Sequence, residues 1–66
     1  SGGFIMAREL YNWDQVRAYS VIALNNLKSK NKELNTRNFI RELDPLQTSF
    51  GKEGVVGYAN RLLNKE

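Results

Sequence analysis

The fold of this chain is decided between residues 12 and 28, which read NWDQVRAYSVIALNNLK. The stretch opens on Asn12, a good N-cap residue, and places Gln15 at the third helical position, which is a capping-box arrangement. At about 100° per residue, the following apolar residues fall on one stripe: Trp13, Val16, Ala23, Leu24 and Leu27. The pattern predicts a helix over residues 13–28 with this stripe facing the core.

A second group of apolar residues on the same helix, Ala18, Val21 and Ile22, lies away from that stripe. Two interpretations are open. In the first, the apolar N-terminal residues of segment 4–11 fold back over this second face. In the second, Val21 and Ile22 form a surface for a protein partner or for a second copy of the chain.

The next helix has clear start and stop signals. Leu34, Asn35 and Phe39 have the spacing of a hydrophobic staple, in which Asn35 caps a helix that starts at residue 36. Pro45 disfavours helical geometry at the residue before it, so the helix is expected over residues 36–43. Asp44 and Pro45 then look like a new N-cap and first helical residue, and they predict a short extra turn near residues 45–50.

The last helix is predicted over residues 52–64, where apolar residues again recur at helical spacing. Gly57 is interpreted as a position that allows another backbone to approach closely. The chain is therefore expected to form an all-α, small three-helix domain. The expected core consists of Trp13, Val16, Leu24, Leu27, Phe39, Ile40, Leu43, Phe50, Val55, Ala59, Leu62 and Leu63.

Composition excludes several classes of function. The 66 residues allow one small core; residues 1–3 are interpreted as a tag or linker remnant and residues 4–66 as a single domain. The chain has no cysteine and no histidine, which excludes disulfides, thiolate zinc sites and histidine bases or ligands. No apolar run approaches the ~20 residues of a membrane span. We expect no cofactor, no metal, no membrane partner and no enzymatic activity.

Positive charge is concentrated in one part of the chain. Between residues 28 and 41 there are five bases against one acid, Glu33. A basic loop that leads into a helix is typical of phosphate contacts, and asparagine and arginine are residue types that contact base edges. The candidate nucleic-acid-binding residues are Lys28, Lys30, Lys32, Arg37 and Arg41 for phosphates, with Lys52, Asn60 and Arg61 on the last helix for the bases.

The sequence thus favours a non-enzymatic, basic helical domain that binds DNA or regulates, with a helix-turn-helix-like arrangement. Its expected partner is nucleic acid, with a homodimer or a protein partner in second place, and its expected location is the cytoplasm, or the nucleus in a eukaryote. The alternative is a protein–protein interaction or dimerisation module that uses an apolar helix face at Val21 and Ile22.

Overall fold

The computed structural model describes residues 10–66, which form helices and connecting segments without a strand. The helices are α1 (Trp13–Ser29), α2 (Thr36–Leu43), α3 (Leu46–Ser49) and α4 (Lys52–Asn64). The prediction of a small three-helix domain with an extra helical turn is confirmed. The Phe4–Met6 part of the segment expected to fold back lies outside the described residues.

Side-chain capping sets the residues at which α1 and α2 begin. The backbone N–H of Gln15 donates to Asn12 Oδ1 at 2.8 Å, and the N–H of Asn12 donates to Gln15 Oε1 at 3.0 Å, so the capping box is complete. Asn35 Oδ1 likewise accepts from the N–H of Asn38 at 2.8 Å. The N-caps predicted at Asn12 and Asn35 are therefore both formed.

The C-terminal end of α1 closes with a left-handed residue. Asn31 has a φ of 58°, a conformation that asparagine tolerates better than most residues. The N–H of Lys32 donates to the carbonyl of Leu27 at 3.0 Å, and the N–H of Asn31 donates to that of Lys28 at 3.1 Å. This is a Schellman motif, and it turns the chain from α1 toward α2.

Helices α2 and α3 are two parts of one bent helix, and here one detail of the prediction is wrong. Asp44 keeps helical geometry (φ −55°, ψ −47°) although it precedes a proline, and Pro45 rather than Asp44 stands at the N-cap of α3. Pro45 has no N–H to continue the hydrogen-bond ladder. The chain therefore bends at this point and does not restart with a side-chain cap.

Helix α1 is the centre of the domain. It packs against both α2 and α4, which make little contact with each other. The buried cluster consists of Ala18, Tyr19, Ile22, Ala23, Leu46, Val55 and Ala59. Half-buried residues around it are Tyr11, Val21, Phe39, Leu43, Phe50, Val56 and Leu62.

The predicted core is correct for α4 except at Leu63, and it is wrong for much of α1. Leu27, Val55 and Ala59 are buried as expected, and Phe39, Leu43, Phe50 and Leu62 are half-buried. The following residues of the predicted core are exposed: Trp13, Val16, Leu24, Ile40 and Leu63. The reason is that α1 turns its small side chains, Ala18 and Ala23, toward the core, and these leave room for close contact with the neighbouring helices.

Tyr19 joins α1 to the junction between α3 and α4. Its ring is buried, and its hydroxyl donates to the carbonyl of Phe50 at 3.0 Å. Tyr11 packs on it edge to face, with ring centroids 5.7 Å apart. Gln15 Nε2 adds a long hydrogen bond to the carbonyl of Lys52 at 3.5 Å. The start of α4 is thus fixed on α1 by polar contacts that are themselves partly buried.

Gly57 lies in the middle of α4, and the expectation that it allows a close approach within the fold is wrong. A Cβ added there would have no heavy atom within 4 Å, and the same holds for Gly54. We therefore expect Gly57→Ala to raise the free energy of unfolding by about 0.5–1 kcal/mol, because alanine is the better helix former. Urea unfolding followed by circular dichroism measures the change.

The matched control is Gly51→Ala, where an added Cβ also meets open space but the residue precedes α4 as its N-cap. Alanine is a poor N-cap, so this variant should gain nothing. A loss of stability in Gly57→Ala would contradict the assignment of an unstrained, solvent-facing position.

Candidate interaction surface

The basic residues predicted to form one site differ in their exposure and in their partners within the chain. Lys30 Nζ donates to Glu42 Oε2 at 2.7 Å, and the Glu42 side chain is only 10% exposed. This ion pair attaches the loop after α1 to the end of α2. Lys30 therefore has a structural partner inside the chain.

Lys28 also faces an acid, but in a looser arrangement. Its Nζ lies 3.8 Å from Glu66 Oε2, and both side chains are largely exposed to solvent. A pair of this kind contributes little, because water screens it. Lys28 thus stays accessible to a partner.

Three of the predicted phosphate-binding residues, Lys32, Arg37 and Arg41, are exposed. Within residues 10–66, no ion pair with an acid involves them. Arg37 and Arg41 are four residues apart on α2, on the side opposite Phe39. This group, the α2 cations, is the part of the predicted basic surface that the structure keeps together.

The predicted base-contacting residues of α4 lie on another flank of α1. Lys52 Nζ is 4.6 Å from the centroid of the Tyr11 ring and donates to the carbonyl of Leu10. The guanidinium of Arg61 lies 6.0 Å from the ring centroid of Tyr58. Asn60 is exposed and lines a groove between α1 and α4. Because α2 and α4 make little contact, these residues and the α2 cations do not form one compact surface.

The prediction that Ile22 belongs to a partner surface together with Val21 is wrong. Its side chain is 1% exposed and belongs to the buried cluster, together with Val55 and Ala59 of α4. Val21 is half-buried in the crevice between α1 and α4. The second apolar face of α1 is therefore its core-facing side, and the opposite side is the one left open.

Apolar side chains cover that open side of α1. Trp13 is 76% exposed, Val16 43% and Leu24 42%. Leu34, before α2, and Ile40, on α2, are also exposed. We call these five residues the apolar face.

Two shallow depressions lie between α1 and the α2–α3 helix, and three residues of the apolar face line them, namely Val16, Leu24 and Leu34. The first is lined by Tyr11, Val16, Tyr19, Ser20, Leu43 and Gln47. The second is lined by Leu24, Leu34, Asn35, Thr36 and Phe39. Val16, Ser20 and Leu24 follow one another at four-residue spacing on α1, so both depressions border the same row of side chains. Ile40 lies one turn from both Thr36 and Leu43 on α2, and it completes the opposite wall.

Sequence reasoning placed most of these residues in the core and so missed the apolar face. The sequence contains no clear signal for it, because polar residues also lie on the core side of the helix. Gln15 and Asn26 are half-buried on the core side of α1, whereas the exposed outer row carries tryptophan and leucine. A large apolar residue on a helix indicates burial on average only.

The described part of the chain contains no group of histidine, cysteine or acidic residues that could hold a metal ion. Nor is any helix between residues 10 and 66 both long and apolar enough to cross a lipid bilayer. Comparison with protein families, with curated proteins and with solved structures finds no match for this chain.

The Lys30–Glu42 ion pair leads to a prediction about stability that distinguishes Lys30 from the exposed Lys32. Lys30→Ala leaves a nearly buried carboxylate without its donor, and we expect it to lower the free energy of unfolding by about 1–3 kcal/mol. Lys32→Ala, in the same loop, should change it by less than about 0.5 kcal/mol. Urea unfolding of both variants, followed by circular dichroism, measures the difference. Equal losses in the two variants would contradict a structural role for Lys30.

Proposed function

We propose that this domain is a non-enzymatic protein-interaction module that docks a partner on its apolar face. One observation carries the proposal: the side of α1 that the core leaves open carries Trp13, Val16 and Leu24, all exposed, among its polar residues. An ordinary surface helix is polar on its outer side. Contiguous exposed apolar residues mark interaction sites in small soluble domains.

The shape of this surface supports the same function. The apolar face follows a crevice between two helices, and such crevices hold the apolar side of an amphipathic helix in several recognition modules. The walls come from α1 on one side and from the α2–α3 helix on the other. A helical segment of a partner is therefore the ligand shape that fits.

The surface is also held rigid before any partner arrives. The N-terminus of α1 is closed by the capping box, its C-terminus by the Schellman motif, and its inner side packs against α2 and α4. The backbone of such a helix loses little additional freedom on binding. A preformed surface lowers the entropic cost of association.

Trp13 is the only tryptophan in the chain and lies on the apolar face, so its emission reports docking directly. We expect a neutral helical peptide with a leucine stripe and glutamine flanks to shift this emission to shorter wavelength. Leu24→Ser should weaken binding about tenfold, because a large apolar contact of ~1.5 kcal/mol or more is lost. A fluorescence titration of each variant measures the dissociation constant.

Tyr58→Ser is the matched control, because Tyr58 is exposed to a similar degree (37%) but belongs to α4 and packs against Phe50, away from Leu24. It should bind the peptide as the wild-type chain does. Circular dichroism must show that both serine variants remain folded. An unchanged Trp13 spectrum at millimolar peptide, or equal losses in the two variants, would overturn the proposal.

A second candidate function, nucleic-acid binding with a regulatory role, is favoured by the α2 cations. Lys32, Arg37 and Arg41 are exposed and near one another in sequence, and Arg37 and Arg41 share one face of α2. Phosphate contacts need accessible cations of this kind. Because α4 is on another flank, this candidate rests on backbone contacts from α2 and its preceding loop. The absence of cysteine agrees with a reducing location such as the cytoplasm or a nucleus.

This candidate predicts a specific salt dependence. If Lys32, Arg37 and Arg41 neutralise three phosphates of a duplex, log K should fall with log salt with a slope of about −2.7. Replacing all three by alanine should abolish the binding of a labelled random duplex in fluorescence anisotropy. Lys65→Ala, on an exposed base at the end of α4, should leave the slope unchanged. A slope that survives in the triple variant would contradict this candidate.

A further inference from the structure

We infer that the occupant of the apolar face is an amphipathic helix whose apolar stripe is flanked by acidic residues. This inference rests on the proposed function, and it adds the charge of the partner. It comes from the side chains at the edges of the apolar face. Exposed cations lie on both sides, and the exposed acids beside them are Asp14 on α1 and Glu33 before α2.

On the α4 side, the edge is formed by α1 itself. Arg17 lies one turn after Trp13 on the solvent-facing side of α1, and Lys28 lies one turn after Leu24 on the same side. Arg17 is exposed, and the only acid paired with Lys28 in the described residues is the exposed Glu66 at 3.8 Å. Both cations can therefore reach a ligand that lies over Trp13 and Leu24.

On the other side, the edge is formed by α2. Arg37 and Arg41 are exposed. Arg37 lies three residues before Ile40 and borders the groove, whereas Arg41 is one turn further along and lies farther from the groove that Phe39 lines. The acids nearest to them in sequence, apart from Glu42 in its pair with Lys30, are Glu33 and Asp44. In the described residues neither arginine forms an ion pair with an acid. The apolar face thus has exposed cations without a close ion pair on both sides, Arg17 on α1 and Arg37 on α2.

A ligand with the opposite pattern would be complementary to this surface. Its apolar side chains would contact Trp13, Val16 and Leu24, and acidic residues on either side of its stripe would meet the two edges. Complementary charges at the rim of an interface raise the association rate and select the partner. From Trp13 to Leu24 is eleven residues, or ~16 Å along α1, which matches about three turns of a bound helix.

The same charges disfavour two other occupants. A second copy of the chain, docked through the same face, would bring basic edges toward each other, and the chain as a whole carries a net charge of +3. A single-stranded nucleic acid would find cations but mostly aliphatic side chains, since Trp13 is the one aromatic residue on the apolar face. Base stacking needs aromatic rings.

The test uses the full chain, Trp13 emission and three peptides of about 15 residues, which would each be ~22 Å long as a helix. The first has a leucine stripe with glutamate flanks. The second has the same stripe with glutamine flanks. The third has the composition of the first in scrambled order, so that its leucines form no stripe. We expect the glutamate peptide to bind about tenfold more tightly than the glutamine peptide at low salt, and this advantage to shrink in 1 M salt, where the Debye length is ~3 Å. The scrambled peptide should not shift the emission.

Charge reversal on the protein locates the effect. Arg37→Glu should weaken binding of the glutamate peptide about three- to tenfold and leave the glutamine peptide unaffected. Lys65→Glu makes the same change of charge at the end of α4 and should leave both affinities as they are. Circular dichroism of each variant confirms that it is folded.

The outcomes separate this inference from the function on which it rests. Equal affinity for the glutamate and glutamine peptides would overturn the acidic partner but leave the apolar face as a docking site. No shift with either striped peptide would overturn both. A shift produced by a single-stranded oligonucleotide and by neither striped peptide would assign the face to nucleic acid. Self-association in sedimentation equilibrium that disappears in Leu24→Ser would assign it to a second copy.

Discussion

The buried contact between α1 and α4 is the constraint on which the rest of this domain depends. Ala18, Ile22 and Ala23 of α1 and Val55 and Ala59 of α4 share one cluster, and most of these side chains are small. Small residues let the helices pack closely, so the rotation of α1 about its own axis is fixed by that contact. Once the alanine side of α1 faces inward, its tryptophan and leucine side must face solvent.

The ends of the helices could be predicted from the sequence, but the buried side of α1 could not. Helix ends follow from local chemistry: Asn12 with Gln15, Asn35 with the turn after it, and Pro45 are all recognisable within a few residues. The buried side depends on which neighbour packs on the helix. Hydrophobicity alone favours the burial of Trp13 and Leu24, whereas in the folded domain Ala18 and Ala23 are buried.

The basic residues show the same division between local and distant information. Their concentration between residues 28 and 41 is evident from the sequence alone. Which of them have partners depends on contacts across the fold. Lys30 meets Glu42, twelve residues away, and Lys52 meets Leu10 and Tyr11, about forty residues away. The folded structure is therefore needed to separate Lys30 and Lys52, which have partners inside the chain, from Lys32, Arg37 and Arg41.

The buried cluster and the proposed docking surface consequently lie on opposite sides of one helix. Ile22 and Ala23 hold α1 in the core, whereas Leu24 in the same turn and Trp13 at the start of the helix face outward. Because the outward side chains contribute little to the buried cluster, their replacement tests binding with small effects on folding. The central helix also explains why a chain of 66 residues can expose so many apolar groups. Its fold is secured by capping, close packing and the Tyr19 hydrogen bond, so Trp13 and Leu24 are not needed in the core.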